Sequence, residues 1–187
     1  MLSVYSSKEL SDNQFSKMYE ILINNLFKTY PEFLDDKDKY DNKNNYNNLF
    51  NSIKTSEQYN VICLEETDLL IGYLSYSVIN GELWISEIQI RDDYHGKGVL
   101  RKLIGKFVSM PELNSYEYIK IHINKRNIHS QEVFGHIGFE KIGESTIYKI
   151  DTDNLIKWNQ KKHILAKYMF FSYNILGDVY GYKKCSY

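Results

Sequence analysis

Apolar positions along this chain recur with two periods, and each switch between them marks a new element. Val4 and Tyr5 suit a short first strand. Ser11-Asp12-Asn13-Gln14 then has the form of a capping box, in which the serine hydroxyl accepts the amide three residues on while Gln14 reaches back. Phe15, Met18, Ile21, Leu22, Leu26 and Phe27 follow at helical spacing, and Pro31 ends the pattern because it disfavours helix at the residue before it. From Asp35 to Asn48 the chain is nearly all Asp, Lys, Asn and Tyr, with too little apolar surface to offset its ordering entropy, which predicts a mobile loop. Tyr46, Leu49, Phe50 and Ile53 predict a short second helix. These helices either flank a substrate entrance or form a plain surface connection.

The shorter period takes over at Tyr59. Tyr59 to Glu65 and Leu70 to Ile79 are β-branched and aromatic runs joined by a Thr67-Asp68 turn, which predicts a hairpin. Asn80-Gly81 is the strongest turn signal in the chain, since a type I′ turn needs positive φ at both central positions, and Leu83 to Ile90 supplies a third antiparallel strand. Val99, Leu100, Leu103, Ile104, Phe107 and Val108 then share one helical face, with Arg101, Lys102 and Lys106 left to solvent and Pro111 beyond the end. Tyr118 to Ile123 reads as a strand with Ile119, Ile121 and Ile123 on one face. Asn127 can cap the next, short helix, which carries Ile128, Val133, Phe134 and Ile137 and closes on Gly138-Phe139 in the form of a left-handed cap. A strand from Phe139 to Ile150, interrupted at Gly143, follows. Leu155, Ile156 and Trp158 suit a helical turn, and the aromatic run from Lys167 to Ile175 suits a final strand better than a helix. No internal repeat or Pro/Gly/Ser linker divides the chain, so a single α+β domain over 1–187 is expected.

Composition narrows the function classes. At 187 residues, 43% hydrophobic and 25% charged, the chain can bury one substantial core. Lys and Arg total 23 against 24 for Asp and Glu, so no basic surplus points to nucleic acid or an anionic membrane as partner. Cys63 and Cys185 are too far apart for a CxxC site and too few for a disulfide framework, which fits a reducing compartment. The N-terminus lacks a basic segment followed by an apolar run, and no apolar stretch approaches about 18 residues, so a cytoplasmic location is expected. His122, His129 and His136 have no carboxylate or cysteine to complete a ligand set, and no metal is expected. No GxSxG elbow supports a hydrolase.

The chemistry concentrates where the third strand passes into the following helix, through His95-Gly96-Lys97-Gly98-Val99-Leu100-Arg101. A strand, two glycines and a helix start gather orphan amide donors and the positive end of the helix around an anion, most often a phosphate. The stretch is not a P-loop, because GxxxxGK[ST] is absent, and not a dinucleotide fingerprint, because Arg101 stands where the third glycine is needed.

Tyr94 to Leu100 followed by Leu103-Ile104 resembles the acetyl-coenzyme-A signature [QR]xxGx[GA] of the GNAT N-acetyltransferase superfamily. His95 stands where the signature has Gln or Arg, and Leu100 where it has Gly or Ala. Asn127, Ser130, Phe134 and Gly138-Phe139 resemble a second block of that family, and the likeness covers about residues 3–150, leaving 151–187 as an extension that completes the sheet or forms an interface.

The resemblance implies an α+β fold with a mixed, mostly antiparallel central sheet flanked by helices. It implies acetyl-coenzyme A as cosubstrate, without a metal, and transfer of the acetyl group to a primary amine of a small molecule or peptide by direct attack. Ile88, Gln89 and Ile90 would lend backbone groups to the pantetheine arm. The amides of His95, Gly96, Lys97, Gly98, Val99, Leu100 and Arg101 would hold the pyrophosphate, with the charges of Lys97 and Arg101 assisting. Asn127 either caps its helix alone or caps it and also meets the pantetheine. A backbone amide near Ile90 would serve as oxyanion donor. Glu87 is the candidate general base, its alternative being a carboxylate on the solvent face of a strand. The family often has a tyrosine as proton donor where this chain has Phe134; Tyr94 and Tyr148 are substitutes with a structural default. A catalytically silent module that binds acyl-coenzyme A is the alternative function, and monomer and homodimer are both left open.

Overall fold

The computed structural model describes residues 1–35, 41–56 and 58–161. Its strands are β1 (Leu2–Ser6), β2 (Tyr59–Glu66), β3 (Leu69–Ile79), β4 (Glu82–Ile90), β5 (Tyr118–His122), β6 (Glu140–Lys141) and β7 (Ile147–Asp151). Its α-helices are α1 (Asp12–Thr29), α2 (Lys43–Thr55), α3 (Val99–Val108), α4 (Ile128–Ile137) and α5 (Thr152–Gln160). The strands form one sheet in the order β1-β2-β3-β4-β5-β7-β6, antiparallel throughout except for the parallel pair β4 and β5. This is the α+β architecture expected, a mixed and mostly antiparallel sheet between helices.

Alternation along the strands divides the interior into two cores. In β2, Val61 and Cys63 face α1 and α2, whereas Ile62 and Leu64 face α3, α4 and α5. The first core is built on the α1 stripe, where Phe15, Met18, Ile21, Leu22, Leu26 and Phe27 are all buried, and the helix begins at the Ser11 capping box with both reciprocal hydrogen bonds in place. The second core takes Leu100, Leu103, Ile104 and Phe107 from α3, Val133, Phe134 and Ile137 from α4, and Leu155 and Trp158 from α5.

The polar run after Asp35 departs from expectation. Positions 36–40 lie outside the described residues, but α2 already starts at Lys43, inside the segment expected to be a loop. Asn42 accepts the Asn45 amide at 2.8 Å as a helix cap, and the Tyr46 ring packs 5.0 Å from Phe15 and 5.2 Å from Tyr19. One aromatic face docked on α1 supplies the burial that a count of apolar residues missed. The hairpin turns behave as read, with Asn80 and Gly81 at φ of 51° and 81°. The strand expected from Phe139 to Ile150 is broken over 142–146 around Gly143, leaving β6 and β7 paired with each other. The final strand expected at 167–175 lies outside the described residues.

Candidate active site

Simple alternation would place Leu83, Ile85 and Glu87 on the same face of β4. It does not hold, because the register against β3 slips by one residue: Ser75 faces Glu87 but Tyr76 faces Ile85, so Ser86 is an extra, bulged residue. Beyond the bulge Ile88 and Ile90 continue into the α3 core, while Glu87 and Gln89 turn toward α1. Glu87 is therefore not on a solvent face; it is 7% exposed. The Tyr73 hydroxyl donates to its Oε2 at 2.8 Å and the Gln89 amide to its Oε1 at 3.2 Å. Burial raises its pKa to about 7, with those two hydrogen bonds pulling the other way. Behind Gln89 stands Asn25 of α1, 2% exposed, whose Nδ2 donates to Gln89 Oε1 at 2.8 Å and to the Ile90 carbonyl at 3.1 Å.

Sequence reasoning missed Asn25 and Tyr73. A signal existed for Asn25, a polar residue set between Leu22 and Leu26 within the apolar stripe of α1. Tyr73 carried none among 17 tyrosines.

The bulge is also where β4 parts from β5. Their parallel pairing covers only Leu83–Ile85 against Ile119–Ile121, so from Ser86 onward no strand among the described residues pairs the β5 side of β4. The Arg91 amide donates to the Ile71 carbonyl at 2.9 Å, and antiparallel alternation then turns the backbone groups of Gln89 to β3 and those of Ile88 and Ile90 to the open side. The Gln89 side chain meets Asn25 and Glu87, and the Ile90 carbonyl is already engaged by Asn25 and His95. Gly72 makes this junction close: a Cβ there would lie 2.9 Å from the Gln89 carbonyl and 3.0 Å from Val99 Cγ1.

The glycine loop follows at once. Gly96 and Gly98 have φ of 72° and 75°, and Gly98 opens α3 with no side-chain cap. Helix geometry leaves the first-turn amides of Val99, Leu100 and Arg101 without intrahelical acceptors, and a Cβ on Gly98 would meet nothing within 4 Å, so the loop surface is clear. The side chains that share this segment point in different directions. Leu100 is 1% exposed and turned into the core, so its bulk lies off the loop. His95 is likewise turned inward; Nε2 lies 3.1 Å from the Ile90 carbonyl and Nδ1 3.3 Å from Asp92, and burial lowers its pKa. The His95 and Lys97 amides donate to Asp92 and Tyr94 carbonyls within the turn. Lys97 Nζ lies 4.7 Å from the Tyr94 ring centre. The Arg101 guanidinium points away from the loop, donating to the Asn159 and Lys161 carbonyls at 3.1 and 2.8 Å and stacking 4.5 Å from the Trp158 ring centre.

Residues 32–149, well over half of the chain, match the family model described as an acetyltransferase (GNAT) domain. The chain belongs to the GNAT acetyltransferase family. No curated protein matches it in sequence. Among solved structures this GNAT domain is similar to the PaiA N-acetyltransferase from Thermoplasma acidophilum in complex with coenzyme A, at 12% identity and a TM-score of 0.62, over 81% of this chain and 99% of that one. It is similar to the ribosomal-protein-S18-alanine N-acetyltransferase from Escherichia coli, at 13% identity and a TM-score of 0.57, over 81% of this chain and 94% of that one. A probable acetyltransferase from Staphylococcus epidermidis matches at 15% identity and a TM-score of 0.58, over 81% and 99% of the two chains. At such identities these likenesses speak for the fold.

The second GNAT block lies on α4. Asn127 is 4% exposed and accepts the Ser130 amide at 3.0 Å, so its capping role is present. Phe134 is fully buried, edge-on to Phe139 at 5.3 Å, and the Phe139 amide closes a left-handed cap on the Phe134 carbonyl at 2.9 Å. The Tyr148 hydroxyl donates to Gln131 at 3.1 Å, and burial raises its pKa. Among the described residues no three His, Cys, Asp or Glu side chains are grouped as metal ligands, and no helix is long and apolar enough to cross a membrane.

Proposed function

We propose that this protein transfers an acetyl group from acetyl-coenzyme A to a primary amine of a small molecule or peptide, by direct attack and with Glu87 as general base. The observation that carries this reading is a buried carboxyl, with its pKa raised to about 7, beside the parted strands and the open glycine loop. The site suits the cosubstrate: the uncapped start of α3 offers the amides of Gly98, Val99, Leu100 and Arg101 to a pyrophosphate, and Ile88 and Ile90 turn backbone groups to the gap where an amide-bearing pantetheine arm would be held. Asn127, at the mouth of the loop after β5, is assigned to the same arm in addition to its cap.

Acetyl-coenzyme A supplies the acetyl group as a thioester, whose carbonyl carbon bonds to the amine nitrogen as the carbon–sulfur bond breaks and the sulfur leaves as thiolate. Glu87 takes the proton that the amine loses, directly or through water. The Ile90 amide, on the open side of β4, donates to the oxygen as it gains negative charge. A thiol of ordinary pKa, about 8.5, leaves tolerably as thiolate near neutral pH, so the phenylalanine at position 134 does not block the reaction.

The test is thiol release from acetyl-coenzyme A with the full chain and a panel of primary amines. Turnover on at least one amine is expected, rising as pH climbs through about 7 because the base must be ionised. Glu87→Gln should lower kcat/KM by about 10²–10⁴-fold while coenzyme A still binds. Coenzyme A binding with no turnover on any amine would favour the silent binding module instead.

A further inference from the structure

His95 leads into the glycine loop but turns its ring inward, to a place where the side chain is only 4% exposed. Each ring nitrogen there meets an acceptor. Nε2 lies 3.1 Å from the Ile90 carbonyl and Nδ1 3.3 Å from a carboxylate oxygen of Asp92. A neutral imidazole carries a single N–H, so it serves one of these acceptors and sets a lone pair against the other. An imidazolium serves both. The surroundings thus offer the partners of a charged ring, while burial keeps the ring neutral to lower pH than an ordinary histidine. The other charges that act on it are divided. Asp92 and Asp93 in its own turn favour the imidazolium; Lys28 from α1, itself paired with Asp92, opposes it, and His129 at the start of α4 is near enough that two charged rings repel. A further negative charge nearby tips such a balance, and the pyrophosphate proposed for the first-turn amides of α3 brings one to the loop that His95 begins.

We propose that coenzyme A binding is coupled to proton uptake by His95, whose ring is neutral in the free protein at neutral pH and becomes an imidazolium when the pyrophosphate is bound. This rests on the reading of the glycine loop as the pyrophosphate site. His95 is no phosphate ligand in this scheme. Its side chain stays turned inward and acts through its charge, as a positioning residue whose N–H groups then hold both the end of β4, at the Ile90 carbonyl, and the turn at Asp92. By linkage, a ring that keeps its proton to higher pH in the complex makes the complex tighter as pH falls.

The experiment needs no acceptor. Its probe is dephospho-coenzyme A, which keeps the pyrophosphate but lacks the 3′-phosphate, a group that itself titrates near neutral pH. The full chain labelled with ¹⁵N in histidine is titrated by NMR with and without saturating probe, the His95 ring being assigned through its own backbone. Its midpoint should rise by about one pH unit on binding, the order expected for two phosphate charges several ångströms away in a partly hydrated site. Calorimetric affinity should accordingly gain up to about tenfold between about pH 8 and about pH 5, beyond any gain shown by His95→Gln, which has a donor for the Ile90 carbonyl but no titrating ring. Glu87 is present in both proteins, so its own titration drops out of the comparison. The NMR measurement uses the parent alone and stands even where His95→Gln folds poorly. A His95 midpoint unmoved by bound probe would overturn the proposal, as would a ring already charged at about pH 8 in the free protein. Failure of both coenzyme A and the probe to bind at any pH would remove the pyrophosphate site itself, and the proposal with it, so the two failures are distinct.

Discussion

Glu87 owes its position to the single extra residue in β4, Ser86, which turns it from the α3 core into a buried polar setting under α1. Burial opposes its ionisation, so the folded protein holds this proton more tightly than the unfolded chain. The stabilising contribution of the protonated group is full below the ordinary value of 4.5 and is lost as pH rises through about 7. Glu87→Gln carries no such loss. Its stability relative to the parent should therefore grow by about 3 kcal/mol between pH 4.5 and pH 8, as expected for a carboxyl raised from 4.5 to about 7. Urea denaturation at several pH values measures this; parallel stability curves for the two proteins would refute it. The candidacy of Glu87 was legible from its place on the strand before the glycine loop. Its burial was not, because the shift of apolar phase from Leu83 and Ile85 to Ile88 and Ile90 signals a break in alternation without saying what covers the Glu87 side chain.

At the scale of elements, the glycine loop and α3 were readable as a unit: two glycines at positive φ, an uncapped helix start and an apolar stripe beginning at Val99. What Arg101 does was not. Its spacing put it on the solvated face near the loop, and charge favoured a phosphate. The fold brings the C-terminal end of α5 alongside α3, where unmatched carbonyls and the Trp158 ring take the guanidinium. Arg101→Ala should thus act first on stability, lowering it by roughly 1–2 kcal/mol through the loss of several hydrogen bonds at a partly exposed site. Calorimetric titration with coenzyme A beside urea denaturation separates the roles, since the variant keeps its backbone amide. A large loss of affinity at unchanged stability would return the guanidinium to the phosphates.

At the scale of the molecule, the proposed cosubstrate site draws on β4, the loop and α3, with α1 behind it, so a ligand that bridges them should stabilise the whole. Coenzyme A at about 100 times its Kd should add about 2.7 kcal/mol and raise Tm by roughly 5–10 °C for a chain of this size. A melting curve with and without coenzyme A reads this directly, and no shift at any concentration would contradict the proposed site. Helices α1, α3 and α4, the two hairpin turns, strands β1 to β5 and the glycine loop followed from the sequence alone, because spacing, capping residues and positive-φ turns act over a few residues and leave their signature there. The parting of β4 from β5, the Asn25–Gln89–Glu87–Tyr73 chain and the turn of Arg101 away from the loop were decided only by the tertiary structure. Each depends on which distant element comes to lie against a side chain, and contacts between residues 64 or 14 positions apart have no local period to betray them.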